Sequence, residues 1–275
     1  MRKLNLFVPQ WQDSGHSNEI FHGSSALRRF IGAAAVFEEV HVDQRGELRV
    51  EKDIFGHEVI LDQLQRVRRV LDLQSPEVVF TLGGGCGVEV SVVSYLKDLY
   101  GDLDLFWFDA HGDINSPATS RSKYFHGMPL RFLVERFEKS EISALVSRLV
   151  PCSAVTLLGT RDLDDAEEIY LRDNGIELMT VDECGSDAAI SKGIGRNPRT
   201  TAAYIHIDLD TIDPSEFRNV KCPARFGLSI ARIARIVEMI REEKSVVGIS
   251  ILENMETEEL ELQKLQALID HATGI

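Results

Sequence analysis

The sequence predicts an α/β protein in which a mainly parallel, doubly wound sheet of about eight strands lies between two layers of helices. Three observations carry this prediction. Short apolar runs alternate with longer amphipathic segments, and the apolar runs are rich in β-branched and aromatic residues. These runs are apolar on both faces, as strands are in a sheet that is covered on both sides. No Pro/Gly/Ser-rich linker interrupts the 275 residues, so we expect one domain over residues 1–275.

Eight apolar runs are predicted as strands. In chain order they are residues 4–8, 39–42, 77–82, 103–109, 154–159, 176–181, 202–208 and 246–252. Helical periodicity is clearest over residues 60–73, 88–100, 130–137 and 230–241. Three stretches that follow predicted strands are interpreted as loops, namely residues 10–23, 116–125 and 214–227. Because ligands of such a sheet gather at the carboxyl ends of its strands, we expect these loops to surround a site.

The composition excludes several classes of partner. A formal net charge of -14 argues against a surface for nucleic acid or anionic membrane and mildly favours small cationic ligands. The four cysteines are widely spaced and form no C-x-x-C pair, which argues against a disulfide framework and fits a reducing compartment. The N-terminus lacks the apolar core of a secretion signal, and no apolar stretch approaches the ~20 residues that a membrane helix needs. We therefore expect a cytoplasmic protein.

Two short acidic segments come directly after, or at the end of, predicted strands. Alternate residues of a strand point to the same side, so each segment presents three potential ligands. They are Asp109, His111 and Asp113 in the first segment and His206, Asp208 and Asp210 in the second. Carboxylates and imidazoles hold Mn²⁺, Fe²⁺ or Zn²⁺, and so many ionisable groups beside apolar strands would be costly without a cation. The alternative is that they are solvated loop acids.

Four segments resemble the ureohydrolases, the family of the arginase and agmatinase enzymes, and they occur in family order. They are D-A-H-G-D-I-N-S-P at 109–117, F-H-G at 125–127, G-T-R-D-L-D at 159–164 and H-I-D-L-D-T-I-D-P at 206–214. The interval from Asp109 to His126 and the D-I-N-S-P segment are more similar to arginase than to agmatinase. The resemblance implies an arginase-like three-layer fold and hydrolysis of a guanidino compound, foremost L-arginine to ornithine and urea, by a metal-bound hydroxide.

The resemblance also implies the metal ions and how they are held. Two Mn²⁺ ions per chain are expected, bridged by Asp109 and Asp208. Asp113 would complete one site, and His111 with Asp210 would complete the other. A hydroxide between the ions would attack the guanidinium carbon, since coordination brings the pKa of water from about 15.7 to near ~7. A small cationic guanidino substrate and a homo-oligomer, trimer or hexamer, are implied in the same way.

Further residues match family positions around the substrate. His126 would shuttle protons, because histidine titrates in the range that a shuttle needs, and Glu253 would hold the guanidinium. The α-carboxylate and α-amino groups would be held by Asn115, Ser122 and Asp164. Asp162 would orient a metal ligand. Each of these assignments has a plain alternative, since histidines in loops, acids at strand ends and polar loop residues are often simply solvated.

Cys86 departs from the family pattern. The family's G-G-D-H-S, whose histidine ligates the first metal, is replaced by G-G-G-C-G at 83–87, so a thiol stands for the imidazole and two polar side chains are lost. A thiolate would add a fifth negative charge opposite two divalent ions and weaken them as Lewis acids. It would also favour Zn²⁺ or Fe²⁺ over Mn²⁺, leaving one site weak or differently loaded. Alternatively, Cys86 is a small buried apolar residue and no ligand.

His206 is a second departure, because the family usually has serine there. It precedes Asp208 by two residues on the same side of the strand. We hypothesise that it partly replaces the lost histidine, directly or through a water. In the alternative, it lies one layer deeper and bonds to Cys86 or Asp113.

Other functions remain as alternatives. A catalytically silent ureohydrolase fold could act by binding a ligand or partner, since loss of a metal ligand is the kind of change that silences an enzyme. Agmatine and guanidinobutyrate are alternative substrates. The run L-G-G-G-C-G at 82–87, with Asp109 about twenty residues later, also outlines a dinucleotide-binding turn, but Val88 stands where its third glycine should be.

Overall fold

The computed structural model describes residues 1–32, 35–44 and 48–274. Its strands are β1 (Lys3–Val8), β2 (Glu38–Glu39), β3 (Val50–Glu51), β4 (Ile54–Phe55), β5 (Val78–Gly83), β6 (Asp104–Phe108), β7 (Val155–Leu158), β8 (Glu177–Met179), β9 (Ala202–Asp208) and β10 (Ser245–Leu252). Its α-helices are α1 (Glu19–Ile31), α2 (His57–Gln74), α3 (Glu89–Tyr100), α4 (Pro129–Val134), α5 (Asp165–Asn174), α6 (Val181–Cys184), α7 (Asp187–Ile194), α8 (Ile230–Glu243), α9 (Glu259–Leu262) and α10 (Gln266–Thr273).

Eight of these strands form one parallel sheet in the order β2-β1-β5-β10-β9-β6-β7-β8, while β3 and β4 form a separate antiparallel hairpin. The sheet is covered on both faces. Along β9, Tyr204 packs in a core shared with α2 and α3, whereas Ile205 and Ile207 pack in a core shared with α8 and α10. This alternation confirms the predicted fold class, a three-layer α/β architecture with a doubly wound parallel sheet.

All eight predicted strands are present, but some of their bounds differ. The strand predicted at 39–42 is reduced to the two residues of β2, and the helix predicted at 130–137 ends at Val134. Six described helices have no counterpart among the clearest predicted helices, namely α1, α5, α6, α7, α9 and α10, and α1 begins inside the loop predicted at 10–23. Helix α5 is mostly polar, and a capping box between Asp164 and Glu167 marks its start better than any apolar stripe.

Within the described residues, no helix combines the length and apolar character that crossing a membrane requires. That residues 1–275 form one domain stays a prediction, and residues 33–34, 45–47 and 275 of that range lie outside the described residues.

Candidate functional site

Ionisable side chains gather at the carboxyl ends of five adjacent strands. Asp13, Cys86, Glu253, Asp208 and Asp109 follow or end β1, β5, β10, β9 and β6, respectively, and all five are buried. The crevice outside the carboxyl ends of a doubly wound sheet is the usual place for a ligand site. The sheet therefore brings the two acidic segments together, as their positions after strands predicted.

One group of potential metal ligands, here called the His111 cluster, consists of Asp109, His111 and Asp210. His111 Nδ1 lies 2.9 Å from Asp210 Oδ2 and 3.4 Å from Asp109 Oδ1. The two carboxylates are fixed by the backbone, because the amide of Ala110 donates to Asp210 and the amide of His111 donates to Asp109. One ligand atom from each residue lies within 4.8 Å of the others, which is compact enough for a shared ion.

A second group, here called the Cys86 cluster, consists of Cys86, Asp109, His206 and Asp208. Its four ligand atoms also lie within 4.8 Å of one another, and all four residues are buried. The Cys86 thiol donates to Asp208 Oδ2 at 3.1 Å. Because Asp109 belongs to both clusters, the two potential ion positions are adjacent. Asp208, which the resemblance also expects to bridge the ions, belongs to the Cys86 cluster alone.

Asp113 belongs to neither cluster, although it is buried and lines a cavity together with Asp208 and Asp210. Within the described structure, its Oδ2 atom has no hydrogen-bond partner, and the same is true of Asp109 Oδ2 and Glu253 Oε2. Asp113 and Glu253 also have positive φ angles of 51° and 63°, a strained conformation for these residues. Unpaired buried carboxylate oxygens and backbone strain in one place are typical of a ligand site.

The electrostatics of the site favour an added positive charge. Burial, reinforced by neighbouring carboxylates, raises the pKa of Asp208 and Asp113 well above the usual range and that of Asp210 to about 7. Burial lowers the pKa of His111, but its hydrogen bonds to Asp109 and Asp210 outweigh this, and the net shift is upward. These carboxylates can all be ionised together only when a cation neutralises them.

Asp13 is a site residue that the sequence analysis missed. It is fully buried, accepts a hydrogen bond from the amide of Gly87 at 2.9 Å, and has its pKa raised to about 7 by burial and by nearby Glu253. A Cβ atom on Gly85 would lie 2.3 Å from its carboxylate oxygens. Glycine at 85 therefore makes room for Asp13, whose carboxylate also disfavours the dinucleotide hypothesis because it would repel a phosphate here. Its position in the loop predicted at 10–23 was the available signal.

His126 and Glu253 lie close together. His126 Nδ1 is 3.4 Å from Glu253 Oε1, and the same oxygen accepts from the amide of Cys86 at 3.1 Å and from Ser14 Oγ at 3.2 Å. Burial lowers the pKa of His126, but the interaction with Glu253 outweighs it and leaves the pKa raised. The two residues predicted to serve catalysis are therefore neighbours beside the Cys86 cluster.

His206 forms a hydrogen bond with Glu89, at the start of α3, which is a second residue that the sequence analysis missed. His206 Nδ1 lies 2.8 Å from Glu89 Oε1, and Glu89 also accepts hydrogen bonds from Tyr204 and Ser250. The imidazole stacks on Trp107, with ring centroids 3.7 Å apart. Both His206 and Glu89 are completely buried. A glutamate within the apolar segment V-E-V-S-V-V was the signal that could have identified it.

A cavity of about 260 Å³ opens onto both clusters and holds three of the predicted substrate-side residues, Asn115, Asp162 and Asp164. Asn115 Nδ2 donates to Asp164 Oδ2 at 2.8 Å, and Asp164 also caps helix α5. The Asp162 carboxylate is largely exposed, 3.8 Å from His111 Nε2. Ser122 is exposed and is not part of the cavity wall. The cavity wall also includes Cys222, which the sequence analysis did not single out.

A larger cleft of about 610 Å³ lies beside this cavity. Its walls include Arg161 and Phe226, and it shares only Asp162 with the smaller cavity. In the part of the chain that the structure describes, neither cluster of potential metal ligands borders it. The smaller cavity is therefore the candidate site.

Comparisons with known proteins identify relatives across most of the chain. The family model described as "Arginase family" matches residues 17–255. Arginase of Staphylococcus aureus (strain COL) is 27% identical over 251 residues, which cover 84% of this chain and 82% of that protein.

Solved structures show the same fold. Arginase from Bacillus caldovelox superposes with a TM-score of 0.87 at 22% identity, covering 100% of this chain and 99% of the other. Entamoeba histolytica arginase in complex with L-ornithine gives a TM-score of 0.88 at 18% identity, covering 99% of this chain and 98% of the other.

Proposed function

The chain belongs to the arginase family of metal-dependent ureohydrolases, and we propose that it hydrolyses an arginine-type guanidino amino acid, L-arginine foremost, to urea and the corresponding amine. The observation that carries the proposal is the pair of ligand clusters that share Asp109, beside one cavity that is lined by His111, Asp208 and Asp210. The resemblance assigns Mn²⁺ to this site, and we retain two divalent ions as the proposed cofactor.

The residues present fit two divalent ions. Asp109 Oδ2, Asp113 Oδ2 and Glu253 Oε2 are buried carboxylate oxygens with no partner among the described residues, which is costly unless a ligand binds them. Asp109, His111 and Asp210 offer oxygen and nitrogen donors, which suit Mn²⁺. Cys86 and His206 bring sulfur and nitrogen to the other position and suit a softer ion there. When bound, such ions supply Lewis acidity and lower the pKa of coordinated water.

The side chains around the ions have separate roles in the proposal. Glu253, with one carboxylate oxygen unpaired, would accept the guanidinium N–H groups and fix the plane of the substrate. Its other oxygen is held by Ser14 and the amide of Cys86, so the carboxylate is positioned before substrate arrives. His126, at 3.4 Å from Glu253, would carry a proton to the departing amine.

The substrate's amino-acid head is proposed to bind at the outer part of the cavity. Asp164 would accept the α-ammonium and Asn115 would donate to the α-carboxylate, and both line the cavity. The mutual hydrogen bond of these two residues keeps them in place. The Entamoeba relative was solved with L-ornithine, the amine that arginine hydrolysis leaves, which supports an amino-acid substrate. Ser122 stays a prediction of the resemblance, as does assembly into a trimer or hexamer.

The alternative of a silent fold depends on the Cys86 replacement. It predicts a protein that binds a guanidino ligand or a partner without turnover. Its specific observation is the Cys86 thiol, which is buried and already donates a hydrogen bond to Asp208.

The test is metal analysis of purified protein together with urea release from L-arginine, agmatine and guanidinobutyrate. The protein would be reconstituted separately with Mn²⁺, Fe²⁺, Co²⁺ and Zn²⁺, and Asp109→Asn would serve as the metal-free control. We expect about two ions per chain and urea from L-arginine above that control. Two bound ions with no urea from any substrate would favour the silent fold, and absence of bound metal would remove the proposed chemistry altogether.

A further inference from the structure

We propose that His206, oriented by Glu89, is a direct ligand of the metal ion in the Cys86 cluster, which makes this position a Cys/His/Asp/Asp site selective for Zn²⁺-like ions. The inference deepens the proposed function because it concerns the same two-ion centre. It moves the imidazole that the family pattern places at position 86, after β5, to β9, which is separated from β5 by β10.

The distances around His206 Nε2 place it among the ligand atoms of the Cys86 cluster. Nε2 lies 3.8 Å from Cys86 Sγ, a long contact even for a hydrogen bond to sulfur, and 3.9 Å from Asp109 Oδ2, which is too far for a hydrogen bond. Two atoms bound tetrahedrally to one ion at about 2.0–2.3 Å lie about 3.3–3.8 Å apart, so the observed separations would shorten slightly when an ion binds. Asp109 Oδ2 has no hydrogen-bond partner among the described residues, so it too is available to an ion.

The tautomer of His206 is set by Glu89. Because the carboxylate can only accept, the short contact between Glu89 Oε1 and His206 Nδ1 places the ring proton on Nδ1. The lone pair of a neutral imidazole then resides on Nε2 and points toward Cys86 and Asp109. A carboxylate that holds the far nitrogen of an imidazole is the usual support of a metal-binding histidine.

The surrounding residues fix the orientation of Glu89 and His206. Glu89 is held by Tyr204 and Ser250 as well as by His206, and the imidazole is stacked on Trp107 at an interplanar angle of 15°. A purely structural histidine at this depth would satisfy both nitrogens with good hydrogen bonds. Here Nδ1 has a close partner, whereas Nε2 has only the long contact to Cys86 Sγ at 3.8 Å. The fixed ring and the weakly bonded Nε2 together favour ligation.

The ligand set also predicts which ion is preferred. Sulfur and imidazole nitrogen are soft or borderline donors, which favour Zn²⁺ over the harder Mn²⁺. The His111 cluster offers two carboxylates and one imidazole and retains the donor set that suits Mn²⁺. We therefore expect the two positions of one centre to differ in metal preference.

The test measures metal binding without substrate. Chelator-treated protein would be titrated with Zn²⁺, bound zinc counted per chain, and zinc-edge X-ray absorption used to count imidazole and sulfur neighbours. Wild-type protein should bind two ions per chain. The spectrum should show an average of one imidazole per ion, from His111 and His206, and an average of half a sulfur per ion, from Cys86. His206→Ser should bind one ion, and the sulfur neighbour should disappear or weaken with it. His41→Ser, which changes an exposed histidine, should bind two.

A second variant covers the case in which His206→Ser fails to fold, since it removes the ring stacked on Trp107. Glu89→Gln keeps the shape of the side chain but removes its charge, and should weaken one zinc site by about 10–100-fold while leaving the other unchanged. Glu58→Gln on the surface of α2 is the matched control.

Undiminished binding of both ions in His206→Ser, or in Glu89→Gln if the first does not fold, would overturn the inference. That result would leave the proposed hydrolysis intact if urea were still released. Loss of one ion in these variants, in a wild type that releases no urea from any substrate, would support the inference and reject the proposed hydrolysis.

Discussion

Strand β6 has a buried carboxylate at each end, and the two differ in how the protein balances their charge. Asp104 at the amino end lies 3.0 Å from Lys244 Nζ and also accepts from Asn197 Nδ2, so its charge is matched within the protein. Asp109, just beyond the carboxyl end, lies among Asp208, Asp210 and the other site acids and has one unpaired oxygen. The two carboxylates are about equally buried.

The contrast between Asp104 and Asp109 shows which property marks an acid that is available to a ligand. Burial alone does not distinguish the two ends, because both carboxylates have been moved out of water. What distinguishes them is charge balance, since the amino end contains its own cation and the carboxyl end contains more carboxylates than cations. In the proposed function, divalent ions bound from outside the chain supply the missing positive charge at the carboxyl end.

The largest expected effect is at the carboxyl end. Asp109→Asn removes the residue shared by both clusters, so neither ion position stays complete. We expect bound metal to fall below one ion per chain and urea release to fall to background, and Asp208→Asn should behave similarly. Metal analysis and a urea assay measure both. If either variant keeps full metal content, the assignment of a two-ion centre to these residues is wrong.

At the amino end, we expect a loss of stability without a loss of function. Lys244→Met leaves the Asp104 charge buried and unpaired, which should lower the free energy of unfolding by about 3–5 kcal/mol. Bound metal should be unchanged. Denaturant unfolding measures the first quantity and metal analysis the second. The double variant Asp104→Asn with Lys244→Met is the control and should recover part of the stability. Loss of metal in the single variant would show that the two ends are not independent.

A smaller effect is expected at Asp164, where a carboxylate does two jobs. It caps helix α5, so Asp164→Asn is preferred to alanine because asparagine also caps well. Removing the charge should lower kcat/KM for L-arginine by an amount that corresponds to a loss of about 2–3 kcal/mol in transition-state stabilisation, because the α-ammonium loses its partner. Guanidinobutyrate has no amino group and should be unaffected. An equal loss for both substrates would reject the proposed contact.

The smallest effect is expected at Asn115. Asn115→Ala should lower kcat/KM for L-arginine by an amount that corresponds to a loss of about 1.5 kcal/mol in transition-state stabilisation, because a hydrogen bond to the α-carboxylate is lost. Agmatine lacks that carboxylate and should be much less sensitive. Asn115 also donates a hydrogen bond to Asp164. The double variant Asn115→Ala with Asp164→Asn should therefore lose less transition-state stabilisation than the sum of the two single losses. Equal losses for arginine and agmatine would place the carboxylate elsewhere.

The sequence predicted the sheet and the shared site because both depend on local patterns. Apolar runs followed by D-A-H-G-D and H-I-D-L-D placed acids at strand ends, and parallel topology made those ends adjacent. Asp13 and Glu89 could not be found in this way. Asp13 is in the site because Gly85 leaves it room, and Glu89, at the start of helix α3, is there because His206 faces it from strand β9. Both facts are contacts between residues distant in sequence.

The polar helix α5 was missed for a different reason. It lacks a strong apolar stripe, and its start is defined by the capping box of Asp164 rather than by periodicity. The family resemblance nevertheless singles out the same residue, and Asp164 lines the candidate cavity. Its assignment to the substrate stays a prediction. The grouping of Cys86 with His206 depends on the packing of two distant segments, which no local motif indicates.

An anomalous-scattering map from crystals grown with Mn²⁺ and Zn²⁺ and measured at both absorption edges would show whether the crevice binds two ions. We expect two peaks about 3.5–4 Å apart, one within the His111 cluster and one within the Cys86 cluster, with Asp109 between them. The zinc signal should be stronger at Cys86. Absence of peaks from this crevice, with the carboxylates protonated and bonded to one another instead, would contradict this expectation.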